Sequence, residues 1–401
     1  MTSGHAREPW GTLLRSMTRV GLNSFGGPVA QLGVLHQEAV DRRGWVTDTE
    51  FLQLVNFANM LPGPEATEVA IHLGWLRRGL LGGIVAGLLF VWPGFFTLTL
   101  LGWIYTRYGH LPAVDAFLNG IRPIAVALIA YAVVRLSLRT LQGAAAVVLM
   151  ALAFVAHFVF AVPFPLILVG CGVVGMVSGR LRESARVARG QKTLTVAILL
   201  AAIVFGALWQ PPREEAVRAS VASSASSPVS LPRLAWIQTK AALLTFGGAY
   251  TTLPYFHDQL VRRTGWLTDA QLTDGLALGE TTPGPLISVG VFFSYLVAHL
   301  AGAVVGGFFL FLPPFVLVLW LGRYAQRIAS VPWAGAFLWG VSAATIGLIL
   351  SLSAQIAPRS LHDGVAVAVA IAALLALWRF KVNPLLAVLV GGGIGLLRLL
   401  G

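Results

Sequence analysis

Phe25-Gly26-Gly27-Pro28 and Pro62-Gly63-Pro64 are the residues of this chain whose types best suit holding an anion. Glycine lets backbone N–H groups converge on a ligand with no Cβ in the way. A helix that begins just after such a break adds unpaired N–H groups and the positive end of its dipole. Proline suits the first helical position, where its missing N–H would have had no partner. Both motifs recur at an offset of 221, as Phe246-Gly247-Gly248-Ala249 and Pro283-Gly284-Pro285. The same offset, without a gap, matches His36 with His257, Arg42 with Arg263, Gly44-Trp45 with Gly265-Trp266 and Thr47-Asp48 with Thr268-Asp269. Four helix N-termini from two halves would enclose one small dianion. The alternative is that these Gly and Pro residues only make tight turns or close helix contacts. Four breaks at corresponding places in a duplicated hydrophobic chain favour a binding site.

Charged and hydroxyl side chains stand beside the breaks. Arg19 and Lys240 are also 221 apart, each six residues before its Phe-Gly-Gly. Six residues is under two helical turns, so each cation can lie near its break or snorkel to the membrane surface. Ser24 and Thr245 immediately precede Phe25 and Phe246; each hydroxyl can donate to an oxyanion or bond its own helix backbone. Arg122 sits in an apolar helix, and its repeat counterpart is Ser342, which allows it a ligand role in one half only. Glu65, Glu68 and Glu280 flank the Pro-Gly-Pro breaks, opposite Leu286, Val289 and Asn59 in the other half. They are candidates for proton coupling, although Glu65 and Glu68 also suit a helix N-terminus. Thr47-Asp48-Thr49-Glu50 and Thr268-Asp269-Ala270-Gln271 read as capping boxes. Trp45 and Trp266 beside them are expected to anchor at the membrane interface. His36 and His257 lack a second His at ligand spacing, so no metal is expected.

The elements that must position these residues are membrane helices. Of 401 residues, 57% are hydrophobic and 11% charged, against about 25% charged in a soluble domain. Such a chain cannot cover itself with polar surface. The net charge of +12 comes from Arg and Lys placed singly or in pairs between apolar runs, which is the positive-inside pattern and not a nucleic-acid surface. The one cysteine, Cys171, excludes an internal disulfide. Apolar runs long enough to span lie at about 80–106, 113–135, 143–161, 164–179, 193–209, 301–322, 334–357, 363–378 and 383–400. The repeat blocks 11–77 and 232–298 are less apolar and broken, and are read as pairs of half-helices, among them 48–60 and 65–77, in re-entrant hairpins, with full crossings broken at their centres as the alternative. The chain divides into a first repeat at 11–180, a middle segment at 181–233 and a second repeat at 234–401. The middle segment holds a basic loop, the extra helix 193–209 and a Ser/Pro-rich linker. Basic clusters at Arg77/Arg78, Arg135/Arg139, 180–192 and Arg379/Lys381 fall on one side when the crossings are counted. That count inserts the second half upside down relative to the first. The expected fold is therefore an all-α integral membrane protein of two inverted-topology repeats. No haem, flavin or metal spacing and no nucleotide-binding loop is visible, so the sequence predicts a carrier without cofactor, not an enzyme, with a transporter or channel for sulfate or another small anion as the alternative.

Phe-Gly-Gly near the start of each half, Gly-Trp-x-Thr-Asp some twenty residues on, then Leu-Pro-Gly-Pro or Thr-Pro-Gly-Pro, resembles the chromate ion transporter family in its long, two-domain form. The resemblance covers about 11–401. It implies a multi-pass carrier of the bacterial inner membrane that exports chromate and confers chromate resistance. Sulfate, isosteric with chromate, is the implied competitor or counter-substrate, and protons and a homodimer are admissible partners. Carried over to this chain, the family motifs are Phe25, Gly26, Gly27, Pro62, Gly63, Pro64 and their partners at +221.

Overall fold

The computed structural model describes residues 8–141, 143–178, 228–246, 248–324 and 332–400. The expected helix 193–209, the basic loop before it, most of the linker after it, and Gly247 lie outside the described residues. Among the described residues every regular element is helical.

The first half runs α1 (Trp10–Asn23), α2 (Gly27–His36), a π-helical turn (Gln37–Arg42), α3 (Asp48–Ala58), α4 (Glu65–Tyr108), α5 (Pro112–Thr140), α6 (Ala144–Phe158) and α7 (Phe164–Ser178). The second half repeats this order. It runs α8 (Leu231–Leu243), a 3-10 turn (Ala249–Thr252), α9 (Leu253–Phe256), a π-helical turn (His257–Arg263), α10 (Asp269–Glu280), a 3-10 turn (Leu286–Ser288), α11 (Val289–Leu321), α12 (Pro332–Ser360), α13 (Gly364–Arg379) and α14 (Pro384–Leu400).

Local sequence explains the boundaries. Thr47 Oγ1 accepts from the Glu50 amide at 3.2 Å, and the Glu50 carboxylate accepts from the Thr47 amide at 2.8 Å, so the expected capping box opens α3. Thr268 and Gln271 make the same pair of bonds, at 3.2 and 2.9 Å, ahead of α10. The two π-turns are pinned to these caps alike: His36 bonds Asp48 at 2.7 Å and His257 bonds Asp269 at 2.8 Å. Trp45, expected at the membrane interface, is 1% exposed and belongs to the protein core.

Helices α4 and α11 are each two helices joined at a sharp reversal. Arg78 and Gly79 leave helical geometry, Gly79 at φ 64°, and so do Ala298 and His299, His299 at φ 50°. The short arm then packs back along the long one. A Cβ on Gly74 would strike the Gly82 carbonyl and the Ala86 methyl, and one on Gly302 would strike the Ser294 carbonyl. Glycine lets the two arms' backbones meet, which is how helices associate when lipid supplies no hydrophobic drive. The expected half-helix 65–77 is thus a separate arm, about 20 Å long at 1.5 Å per residue.

Among the described residues four helices are long and apolar enough to cross a membrane: Glu65–Tyr108, Pro112–Leu138, Leu286–Tyr324 and Trp333–Ser360. Four more, Ala144–Phe158, Phe164–Val177, Gly364–Arg379 and Pro384–Leu400, are apolar but shorter. Their 14 to 17 residues rise about 21–26 Å, less than the ~30 Å of a hydrocarbon core. The eight expected apolar runs that fall among the described residues are therefore helices, four of them in helices of full spanning length.

The chain folds into two compact units, and both take pieces from each half. One unit comprises residues 1–106, 229–252 and 278–331. Here α8 packs on α11, with Gln238 donating to the Gly290 carbonyl at 3.1 Å and to Ser294 Oγ at 2.8 Å. Phe57, Leu61, Ile71 and Val318 form a buried apolar cluster within it. The other unit comprises residues 107–228, 253–277 and 332–401. It holds two matching close crossings: a Cβ on Gly120 (α5) would meet Gly391 and Gly395 (α14), and one on Gly340 (α12) would meet Cys171 and Gly172 (α7). The first half's α5 crosses the second half's α14, and the second half's α12 crosses the first half's α7. Reciprocal contacts of this kind are the mark of a two-fold relation. Cys171 is simply the counterpart of Gly391 at that crossing.

Candidate functional site

The breaks meet in the first unit, through the same reciprocity. The Gly63 amide donates to the Thr245 carbonyl at 2.9 Å, and the Gly284 amide donates to the Ser24 carbonyl, also at 2.9 Å. Each Pro-Gly-Pro loop is therefore held by the residue that precedes the other half's Phe-Gly-Gly. Each loop also rests on the long helix of the opposite half. A Cβ on Gly63 would stand 3.2 Å from Pro314 Cβ, and one on Gly284 would stand 3.2 Å from the Gly94 amide nitrogen. Gln31 on α2 adds a third link, donating to the Gly284 carbonyl at 2.8 Å. Gly63, Pro64, Gly284 and Pro285 are buried, and Pro62 and Pro283 are half-buried, so the two loops are matched in exposure too.

This geometry redistributes the expected roles. The amides of Gly63 and Gly284 are spent on carbonyls and do not point at a ligand. Two helix starts lie beside the breaks: that of α2, which opens at Gly27 after Gly26 in a left-handed conformation, and that of α4, which opens at Glu65. Gly248 is buried at the matching place in the second half, and Phe25 and Phe246 are half-buried beside their glycines. The Ser24 and Thr245 hydroxyls were expected to donate to an oxyanion. They donate instead to the Val20 carbonyl at 2.6 Å and the Ala241 carbonyl at 2.7 Å. A helix end leaves those carbonyls without an amide partner, and a nearby hydroxyl takes them. Each hydroxyl has one proton, so none remains for an anion in this conformation.

The cations fall into two groups. Lys240 places its ammonium 4.8 Å above the Trp236 ring, a contact that leaves its charge uncompensated by an acid. Arg19 approaches Glu38 at 3.5 Å and keeps 49% of its side chain exposed. Glu38, buried in the π-turn, also meets Arg42 at 3.4 Å and Arg43 at 3.1 Å. Burial works to raise its pKa, but the Ser16 hydroxyl and the guanidiniums of Arg43 and Arg19 outweigh it and hold the carboxylate below its usual value. Three cations around one anion leave positive charge over.

Arg122 lies in the second unit and is held by the fully buried Asp274, with Nε to Oδ1 at 2.8 Å and Nη2 to Oδ2 at 3.0 Å. It also donates to Asn119. A bidentate pair of this kind holds and neutralises the guanidinium in this conformation. The sequence held the signal: Arg122 and Asp274 match Ser342 and Gln53, both neutral, so each charge occurs in one half only.

The three candidate carboxylates differ. The Tyr250 hydroxyl donates to Glu280. Glu65 opens α4, as a dipole-favoured acid should. Glu68 is 1% exposed, and neither carboxylate oxygen has a hydrogen-bond partner.

The chain as a whole is similar to known proteins. The family model described as Chromate transporter matches residues 11–176 and 232–396, once per half. The chain is 35% identical over 390 residues to a chromate transport protein of Pseudomonas aeruginosa, covering 95% of this chain and 90% of that one. It is 28% identical over 382 residues to a chromate transport protein of Cupriavidus metallidurans, covering 92% and 88%. It is 26% identical over 380 residues to a probable chromate transport protein of Synechococcus elongatus, covering 92% and 89%. No solved structure matches. With both halves matched and the resemblance running nearly end to end, the chain belongs to the chromate transporter family of multi-pass membrane proteins.

Proposed function

We propose that this protein is a secondary transporter that exports chromate across the bacterial inner membrane and so confers chromate resistance. The observation that carries the reading is the pair of reciprocal bonds, Gly63 to Thr245 and Gly284 to Ser24, which joins the four helix breaks in two matched pairs. Discontinuous helices from two repeats are how membrane carriers build a central ion site. The relatives named for chromate transport supply the substrate.

In the proposed mechanism a chromate dianion is caught at the helix starts of α2 and α4 and by the backbone at Gly248. Lys240 and Arg19 supply the neutralising charge; Arg122 braces the second unit. The repeats are inverted in the membrane and the arms 48–58 and 65–77 form a re-entrant hairpin whose tip is Pro62-Gly63-Pro64. Transport exposes the crossing to one side and then the other. A negative cell interior favours expelling a dianion by about 2.3 kcal/mol per charge per 100 mV. Sulfate, with the same charge and shape, competes for the site.

The test is uptake of radiolabelled chromate by inside-out membrane vesicles, with and without the protein and with sulfate added. Saturable, protein-dependent uptake that sulfate suppresses is expected. No protein-dependent uptake by folded, membrane-inserted protein overturns the substrate assignment.

A further inference from the structure

Two ionisable side chains are buried on one face of the short arm of α4, and the crossing of the breaks does not use either. Glu68 is 1% exposed and His72 is 2% exposed. Neither oxygen of Glu68 and neither ring nitrogen of His72 has a hydrogen-bond partner. They are four residues apart on a continuous helical segment, so they are neighbours on one face, with Cβ atoms about 5–6 Å apart. An ionised carboxylate or a charged imidazole left alone in such a place costs many kcal/mol. A buried pair of this kind needs a reason.

The fold does not supply one. In the other half the same positions are Val289 and Phe293, both fully buried in α11. The arm packs with apolar residues there, and the acid and the imidazole are gained together in one half only. Position gives a further indication. A Cβ on Gly63 would collide with Glu68 Oε1, so the carboxylate lies directly beneath the Pro62-Gly63-Pro64 loop, where Gly63 is tied to Thr245. His72 lies about 6 Å farther along the arm, away from the loop. It packs edge-on against Phe57 and Trp75, each ring centroid 5.5 Å away, with Gly322 beside it.

We propose that Glu68 and His72 form a proton-binding relay on this arm, by which proton movement is coupled to the anion crossing. The coupling rests on the transporter reading; the proton site does not. A proton on Glu68 removes the buried charge beneath the loop. When the Glu68 O–H breaks and an N–H forms on His72, a carboxylate and an imidazolium replace two neutral groups, and the proton has moved one helical turn along the arm. Glu65 stands one turn before Glu68 on the same arm. Gly63 of the loop lies against Glu68, and Phe57 of α3 and Gly322 of the turn after α11 lie against His72, none of them titratable; Arg323, next in sequence, is exposed. Farther along the arm Arg77 interacts with Glu8 and Glu50.

The test joins infrared spectroscopy of the purified full-length protein with transport in proteoliposomes. The wild type is expected to show the carbonyl stretch of a buried neutral carboxylic acid that disappears as pH rises. Glu68→Gln removes that band, and His72→Phe, the residue of the other half, moves the pH at which it disappears. The same band in Glu68→Gln as in wild type, or an unmoved titration in His72→Phe, overturns the proposal. In the transport arm, Glu68→Gln keeps chromate counterflow at equal pH within about threefold, while accumulation driven by an imposed pH gradient falls to the level without one. Gradient-driven accumulation that survives in Glu68→Gln overturns the coupling. Absence of chromate counterflow in the wild type overturns the substrate reading, and the infrared result still decides the proton site. Both substitutions conserve size, and a monodisperse elution profile confirms folding.

Discussion

At the scale of single residues, backbone groups decide more of the site than side chains do. Ser24 and Thr245 matter for their carbonyls, which hold the opposite loops, and their hydroxyls are turned to their own helices. Ser24→Ala and Thr245→Ala are therefore expected to transport chromate at near wild-type rates while losing about 1 kcal/mol of stability each, measured by vesicle uptake and by thermal unfolding in detergent. Gly63→Ala is the opposite case. Its methyl would collide with Glu68 and crowd Pro314, at a φ of 154°. Displacing the loop by an ångström or so is expected to cut transport about a hundredfold and to cost about 1–3 kcal/mol. Glu38 gives a pH prediction. Its folded pKa is depressed, so its contribution is present above the ordinary glutamate value and is lost as pH falls through the depressed one. Glu38→Gln is expected to lower the melting temperature at neutral pH and to flatten the loss of stability on acidification, read as melting temperature against pH.

At the scale of elements, much was legible and what was missed has physical causes. The Gly-Pro breaks, the capping boxes and the long apolar runs are local signals, and they placed α3, the arm 65–77 and the helices from α5 to α7 and α11 to α14. The reversal at Arg78–Gly79 lay between two segments that sequence had already separated. The Ser24 and Thr245 hydroxyls could not be assigned because a helix-end hydroxyl serves its own backbone or a ligand equally well in sequence. Asp274 was missed as the partner of Arg122 because the two are 152 residues apart and only the fold joins them. His72 was missed because one imidazole in an apolar run looks like packing until its nitrogens are found without partners. The matched reversals also make a prediction. His299 holds a left-handed conformation that Gly79 adopts freely in the other half. His299→Gly is expected to stabilise the protein by about 1 kcal/mol and Gly79→Val to destabilise it by about 1–2 kcal/mol, measured by chemical unfolding in detergent.

At the scale of the whole molecule, duplication explains the architecture. Each compact unit draws on both halves, and in each the contacts are exchanged reciprocally: α5 with α14 and α12 with α7 in one, loop with break in the other. A duplicated half cannot complete either unit alone. Symmetry is broken where charge is needed: Arg122–Asp274, Tyr250–Glu280 and Glu68–His72 each occur once, and each faces neutral or apolar counterparts.

The central claim is that the crossing of the four breaks is the chromate site. Its most direct measurement is radiolabelled chromate uptake by inside-out vesicles carrying wild type, Gly27→Leu or Lys240→Ala at equal membrane abundance. Saturable uptake in the wild type and its loss in both variants is the result this account predicts. Wild-type uptake in both variants, with the protein folded and inserted, would contradict it.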